Sequence, residues 1–255
     1  MSDGSGISQR YMELFFELFE SLPRQGPGSL ECAKRALSLC RGLPDKPAIL
    51  DLGCGCGAQT LQLAGLTGGT IVAVDSHAPC IERLEAEIRE RGLAGRVKPL
   101  AGDMTKLDLA PASFDLAWSE GAFYNIGIEG ALALCRGLLK PGGYLAFTDA
   151  VWLKDDPPPE VKAAFADYSG MGSAADVIAL VDGGGFELVG HFTLPEAAWW
   201  DDFYAPMERR IGEMRGKYAD DAQALGVIDK LAEEPEMYRR HSDFYGYEFF
   251  VARRA

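Results

Sequence analysis

The chain predicts an α/β fold: a doubly wound, mostly parallel seven-stranded sheet, with N-terminal helices and a C-terminal helical insertion before the last strand. Three observations predict it. Short apolar runs alternate with amphipathic stretches between residues 47 and 194, the rhythm of a parallel sheet covered by helices on both faces. The segment 49–60, ILDLGCGCGAQT, reads as a buried strand passing through a glycine-rich turn into a helix. Beyond residue 195 the alternation stops, and a long helical excursion precedes one closing strand, which suggests an antiparallel pair at the sheet edge.

Residues 1–8 are small and polar and read as a disordered tail. From Tyr11 to Leu22, the residues Leu14, Phe15, Leu18, Phe19 and Leu22 recur at helical spacing. The charges of this helix are mostly acidic, which disfavours an anionic lipid surface and favours a lid or flank packed on the domain. Pro23 ends it, and RQGPGS, Arg24 to Ser29, is a tight loop closing on an N-cap serine. Ser29 to Leu43 is a second helix with Leu30, Ala33, Leu37 and Cys40 on one face; Pro44 and Pro47 break it.

Strand Ile49–Leu52 and helix Ala58–Leu66 follow. Thr70–Val74 is a β-branched strand ending at Asp75; Ser76 caps the next helix, Pro79 sits in its first turn, and Ile81, Leu84 and Ile88 form its buried face. Arg96–Ala101 is the third strand, followed by Gly102, Asp103 and Met104. Phe114–Trp118 is the fourth, followed by SEGAFYNIG, Ser119 to Gly127. Ile128–Leu139 is a helix, Lys140–Gly143 (KPGG) a turn, and Tyr144–Thr148 the fifth strand. Asp155–Pro159 is a linker, Ala174–Asp182 a helix and Phe186–Leu194 a strand; Pro195–Asp243 is mostly helical by composition, and Tyr247–Arg253 is the last strand. The expected organisation is one domain: N-terminal helices over 9–46, a binding core over 47–194, a helical lid over 195–243 and a closing strand over 244–255.

At 255 residues, with 47% hydrophobic and 25% charged side chains, the chain can bury a sizeable core. Its net charge of −13 repels phosphate backbones and argues against nucleic acid as a partner. Cys32, Cys40, Cys54, Cys56, Cys80 and Cys135 form no C-x-x-C pair, and only three histidines accompany them, so no metal site is expected. The cysteines read as small buried residues in a reducing cytosol. The N-terminus lacks a secretory pattern, and no apolar run approaches the ~20 residues that span a bilayer. A cytoplasmic protein without an integral membrane segment is expected.

Right-handed crossovers bring the carboxyl ends of parallel strands to one side, where ligands bind at the point the winding switches direction. Gly53, Asp75, Asp103 and Ser119 converge there. Gly53-x-Gly55-x-x-Ala58 also satisfies a dinucleotide fingerprint, and a carboxylate at Asp75 suits both hydroxyls of a ribose. Asp103 could accept a bond from an adenine amino group.

Asp51 opens D-x-G-x-G-x-G, an acidic residue ends strand two, and G-D-M follows strand three; F-D-L-A-W-S and L-K-P-G-G come next. This ordered set, over roughly residues 47–150, resembles the class I S-adenosylmethionine-dependent methyltransferases. Within them the chain is similar to the ubiquinone/menaquinone-biosynthesis type. It resembles most closely bacterial proteins sharing R-Q-G-P-G-S, W-S-E-G-A-x-Y-N-I-G and F-Y-G-Y-x-F-F, a similarity that brings no substrate with it.

The resemblance implies a Rossmann-like fold, S-adenosylmethionine as cofactor with S-adenosylhomocysteine as product, and methyl transfer to a small organic acceptor. By it, Asp51 and the backbone of Gly53, Gly55 and Gly57 hold the methionine end of the cofactor. Asp75 takes the ribose hydroxyls with Ser76 beside it, Asp103 and Met104 frame the adenine, and Ser119 offers its backbone near the sulfonium. Gln25 and Gln59 could bind the cofactor carboxylate.

Methyl transfer asks mainly for orientation and exclusion of water, and needs a base only when the acceptor must lose a proton. Glu120 and Tyr124 are the catalytic candidates because SEGAFYNIG leaves strand four near the reacting centre; Asn125 beside them is a substrate candidate. Trp152, Trp199 and Tyr204, with Trp200 and Phe203, could line a substrate pocket, form the lid's own core, or make the surface of a homodimer. His191 reads as structural and His77 as polar capping. Two other functions stay open. A nicotinamide-dependent oxidoreductase keeps the turn and Asp75 but leaves Asp51, Gly57 and Asp103 without a role; a non-catalytic cofactor-binding protein keeps the whole motif set.

Overall fold

The computed structural model describes residues 9–168 and 170–255, so the expectation for residues 1–8 lies outside the described residues. Its strands are β1 (Ala48–Leu52), β2 (Thr70–Asp75), β3 (Val97–Ala101), β4 (Phe114–Glu120), β5 (Leu139–Trp152), β6 (Phe186–Thr193) and β7 (Tyr245–Arg254). They form one seven-stranded sheet in the order β3-β2-β1-β4-β5-β7-β6. The first five run parallel, and β7 is antiparallel to both β5 and β6. The order reverses between β1 and β4, which opens a crevice at their carboxyl ends.

Period-two alternation sends successive residues of a strand to opposite faces. Ile49, Ile71, Leu116 and Trp118 pack into one core with residues of α2 (Leu30–Leu39), α3 (Ala58–Leu66) and α4 (Ala78–Glu90). Leu50, Leu52, Ala117 and Leu145 pack into the other with α5 (Ile128–Leu138) and the helix Ala174–Gly183. A third core lies outside the sheet. Leu14 and Leu18 of α1 (Gln9–Ser21) join Val161 of the short helix Pro159–Ala164 and Phe203, Met207 and Ile228 of the C-terminal insertion. The insertion comprises Ala197–Trp199, a π-helical turn at Trp200–Tyr204, Ala205–Lys217, Ala222–Leu231 and Glu233–His241. It forms one helical cap together with α1.

Several local expectations are corrected. The second helix starts at Leu30 and stops at Leu39, because Ser29 accepts from the Cys32 amide as its cap and Gly42 already has a φ of 89°. Leu30 faces outward, 39% exposed. The KPGG stretch is part of β5: Leu139 pairs with Phe114, and a register shift precedes Leu116–Tyr144. β5 runs four residues past Thr148, to Trp152, because β7 pairs with it as far as Tyr245. His77, not Ser76, is the cap residue of α4, and its side chain makes no cap bond; the imidazole stacks on Phe16 and meets Glu20 at 2.7 Å. Cys56 and Cys80 form a disulfide, against the reading of all six cysteines as reduced; the other four are buried free thiols. His191 bonds Glu248 across β6 and β7.

Candidate functional site

The carboxyl ends of β1 to β5, the glycine turn, the RQGPGS loop and the helical cap enclose a cavity of about 1170 Å³. The glycine turn forms one wall. Gly53, Gly55 and Gly57 have φ of 72°, 53° and 91°, a region L side chains avoid. A Cβ on them would lie 2.2 Å from Ala122 Cβ, 2.9 Å from Gln25 Oε1 and 2.3 Å from Leu84 Cδ1, respectively. The protein's own close approach therefore demands glycine at all three positions. Gly53 and Gly55 still face the cavity, whereas Gly57 packs on α4 away from it.

Two side chains pin the turn. Asp75 accepts from the Gly55 amide at 2.8 Å with one oxygen and from the His77 amide at 2.9 Å with the other. Gln25 accepts from the Cys56 amide at 2.9 Å and donates to the Phe19 and Leu22 carbonyls, so the RQGPGS loop is tied at once to α1 and to the turn. Arg24 of that loop forms a 2.5 Å ion pair with Glu120 at the end of β4; the two side chains are 5% and 2% exposed. Glu120's other oxygen accepts from Trp118 Nε1 at 2.8 Å. A side chain on Gly28 would strike this pair, so the glycine after Pro27 is needed for it.

Of the residues the sequence singles out, Gln25, Gly53, Gly55, Gln59, Asp75, Ser76, Asp103 and Met104 line this cavity. Glu120, Tyr124, Asn125, Trp199 and Tyr204 line it as well. Four of the named residues are not in its wall. Asp51 is fully buried beneath the turn, where it accepts from Thr60 at 2.5 Å and Gln59 at 3.4 Å; burial pushes its pKa up to about 7. It holds Gln59, which does line the cavity. Gly57 packs on Leu84 as described. Ser119 is fully buried one residue short of the wall, which is made instead by Glu120, Gly121 and Ala122. Trp152 donates to the Met171 carbonyl and packs edge-on against Phe165 outside the wall.

Glu120 is in the wall but is not a free base, since Arg24 and Trp118 occupy its two oxygens. Tyr124 is 53% exposed and meets Tyr168 edge-on at 6.2 Å. Asn125 donates to the Ala122 carbonyl. Asp103 accepts from the amide and hydroxyl of Thr105 and pairs with Lys106 at 3.0 Å; the Thr105 bonds foremost bring its pKa down to about 2.

Three groups of the wall escape the sequence reading. Asp149 lies in β5, beyond where that strand is expected to end; it is 3% exposed, accepts from Tyr168 at 2.5 Å, and burial lifts its pKa to about 6. Glu234 is exposed and lines the cavity; it accepts from Tyr204 at 3.2 Å, and desolvation by the surrounding groups raises its pKa to about 7. Tyr247 of β7 fills the space a side chain on Gly121 would take. Tyr247 could have been found from the alternation of the last strand, but nothing local marks Glu234 among the mixed charges of its helix.

A family profile described as "Methyltransferase domain" matches residues 49–143. Among curated relatives, a sterol 24-C-methyltransferase of Pneumocystis carinii is 30% identical over 127 residues, 49% of this chain and 34% of the relative. The O-methyltransferase cnsE of Penicillium expansum is 31% identical over 146 residues, 55% of this chain and 52% of the relative. The chain thus spans about a third to a half of the length of these relatives. Among solved structures, a SAM-dependent methyltransferase from Geobacter sulfurreducens, in complex with S-adenosyl-L-homocysteine, superposes with a TM-score of 0.81. It is 20% identical and is covered to 97%, with 94% of this chain. YjhP from E. coli superposes at 0.80, 22% identical, covering 94% of this chain and 98% of its own. These two likenesses show a shared Rossmann-like α/β fold over nearly the whole chain.

Proposed function

We propose that this protein is an S-adenosylmethionine-dependent methyltransferase acting on a small organic acceptor. The observation that carries the reading is one continuous cavity with two chemically different ends. One end presents the Gly53–Gly55 backbone, Gln59, and the carboxylates of Asp75 and Asp103 at successive strand ends. The other end is aromatic, with Tyr124, Trp199, Phe203, Tyr204 and Tyr247 in its wall. A nucleoside with a charged amino-acid tail fits the first end. Asp75 keeps a lone pair on each oxygen for ribose hydroxyls, Ser76 lies beside it, and Asp103 with Met104 faces the base.

The cofactor supplies an electrophilic methyl group when bound. The chain's residues orient the acceptor, exclude water and handle protons. Gln25 and the Arg24–Glu120 pair close the loop over the turn. For an acceptor that must lose a proton, Asp149 is the base: its pKa of about 6 leaves it ionised at neutral pH, and Tyr168 fixes its orientation. Tyr124 borders Tyr168 and faces the same space. The cap formed by α1 and the insertion is the lid of this single domain.

Equilibrium binding decides between this reading and a nicotinamide enzyme. S-adenosylmethionine should bind in a 1:1 ratio, and S-adenosylhomocysteine should be released when a metabolite pool is added. Tight NAD binding without S-adenosylmethionine binding overturns the reading; cofactor binding with no product release from any pool favours a non-catalytic role.

A further inference from the structure

The cavity wall carries an uneven set of charges. Its cationic side chains are already paired: Arg24 with Glu120 at 2.5 Å, and Lys230 with Glu233 at 2.8 Å. The one histidine in the wall, His77, meets Glu20 at 2.7 Å. Two carboxylates of the aromatic end have phenols, not cations, as their partners: Asp149 with Tyr168 and Glu234 with Tyr204. A carboxylate or phosphate on an acceptor would thus enter an acidic, partly desolvated space with no uncommitted cation among the described residues of the wall.

The same end is built of rings. Trp199 stacks on Tyr238 at 4.2 Å and meets Tyr247 edge-on at 5.0 Å. Tyr204 reaches the Glu234 carboxylate at 3.2 Å, and burial first, and then the charge of Glu234, raises the pKa of the Tyr204 and Tyr245 phenols. Aromatic faces around a carboxylate attract an organic cation. One further group is unsatisfied. The Trp199 indole N–H is buried, in a residue 3% exposed, with no acceptor among the described residues, although Trp199 borders the cavity. Buried donors are rarely left unpaired, so a ligand oxygen is the natural partner.

We infer that the aromatic end binds an organic ammonium ion that also carries an oxygen acceptor, with Glu234 as its counter-charge and Trp199 Nε1 as its donor. This names the class of methyl acceptor, and it rests on the reading of the glycine-turn end as the cofactor site. Tyr204 holds the Glu234 carboxylate in place through its hydroxyl.

Three molecules of one shape test it by calorimetry on the full chain saturated with S-adenosylhomocysteine. Tyramine is the ammonium, tyrosol its neutral alcohol counterpart, and 3-(4-hydroxyphenyl)propionate the anion. Tyramine should bind roughly 10-fold to 100-fold tighter than tyrosol, the range a charge-assisted hydrogen bond supplies, and the anion should bind weakest. Glu234→Gln keeps an acceptor for Tyr204 and should reduce the tyramine preference to within about threefold while S-adenosylhomocysteine affinity stays unchanged. Equal or tighter binding of tyrosol or the anion overturns the inference. So does a full preference retained in Glu234→Gln, or no tyramine binding at about 10 mM. Failure of wild-type protein to bind S-adenosylhomocysteine would instead strike the cofactor reading, so the two failures are distinct.

Discussion

Replacing Glu120 by leucine removes the partner of a buried guanidinium. Arg24 is then left with the Gly26 carbonyl and Gln62, both at 3.4 Å, and its side chain is 5% exposed. Breaking a buried pair from one side costs about 3–5 kcal/mol, because the remaining charge cannot be solvated. Trp118 Nε1 also loses its 2.8 Å acceptor, which adds about 1–3 kcal/mol. Arg24→Met alone strands Glu120 in the same way. The double variant Arg24→Met/Glu120→Leu removes both charges and leaves only the Trp118 donor without a partner. Its cost should fall well below the sum of the two single costs, with a coupling energy of at least about 2 kcal/mol. Urea unfolding of the four proteins in a double-mutant cycle measures this. The single variants should also bind cofactor more weakly, because Arg24 sits next to Gln25, the residue that holds the Cys56 amide. Additive costs, with coupling below about 0.5 kcal/mol, would refute the claim that this pair locks the loop onto β4.

Further outcomes concern the glycine turn and Asp149. Gly57→Ala should destabilise the fold by about 2–5 kcal/mol, from left-handed strain and overpacking. The new methyl would have to displace Leu84 Cδ1 at 2.3 Å; an unchanged melting temperature would show that the turn is not clamped on α4. Turnover should rise with pH to a plateau above about 6, the value to which burial raises Asp149, since the base acts only when ionised. Asp149→Asn should be slower by about 10²-fold or more and lose that acidic limb. Stability moves the other way: the folded state holds the Asp149 proton longer than the unfolded chain, so this contribution is complete below about 4 and is lost as pH rises through about 6. The Asp149→Asn substitution removes that slope, and a slope preserved in the variant contradicts the assignment.

The sheet was legible because buried parallel strands are short apolar runs bounded by glycine and aspartate, as in Ile49–Leu52 and Thr70–Val74. The strand ends carrying Asp75 and Asp103 were legible for the same reason. Asp51 looked like a ligand-facing group because sequence spacing shows its neighbours along the chain but not its depth; Thr60 and Gln59 enclose it from the next helix. Ser119 and Trp152 likewise lie outside the cavity wall, a depth that spacing along the chain does not show. Asp149 was hidden by the end of β5, which an antiparallel partner more than ninety residues later extends to Trp152. Glu234 has no local signal at all, since a helix of mixed charges normally marks a solvated face and only tertiary packing sets this exposed residue at the cavity. At the three glycines the sequence does not show that Ala122, Gln25 and Leu84 lie where a Cβ would stand, since these neighbours come from other parts of the chain.

In the proposed function, Asp75 and the turn it pins form an S-adenosylmethionine site. Isothermal titration of the full chain with S-adenosylmethionine, wild type against Asp75→Ala, tests it most directly. Asp75 accepts from the Gly55 and His77 amides and faces the cavity, so its loss removes both a ribose acceptor and the support of the turn. Wild-type protein should bind one equivalent, and the variant should bind at least about 10-fold more weakly. An affinity unchanged in Asp75→Ala, or no binding to the wild-type chain, would contradict the account.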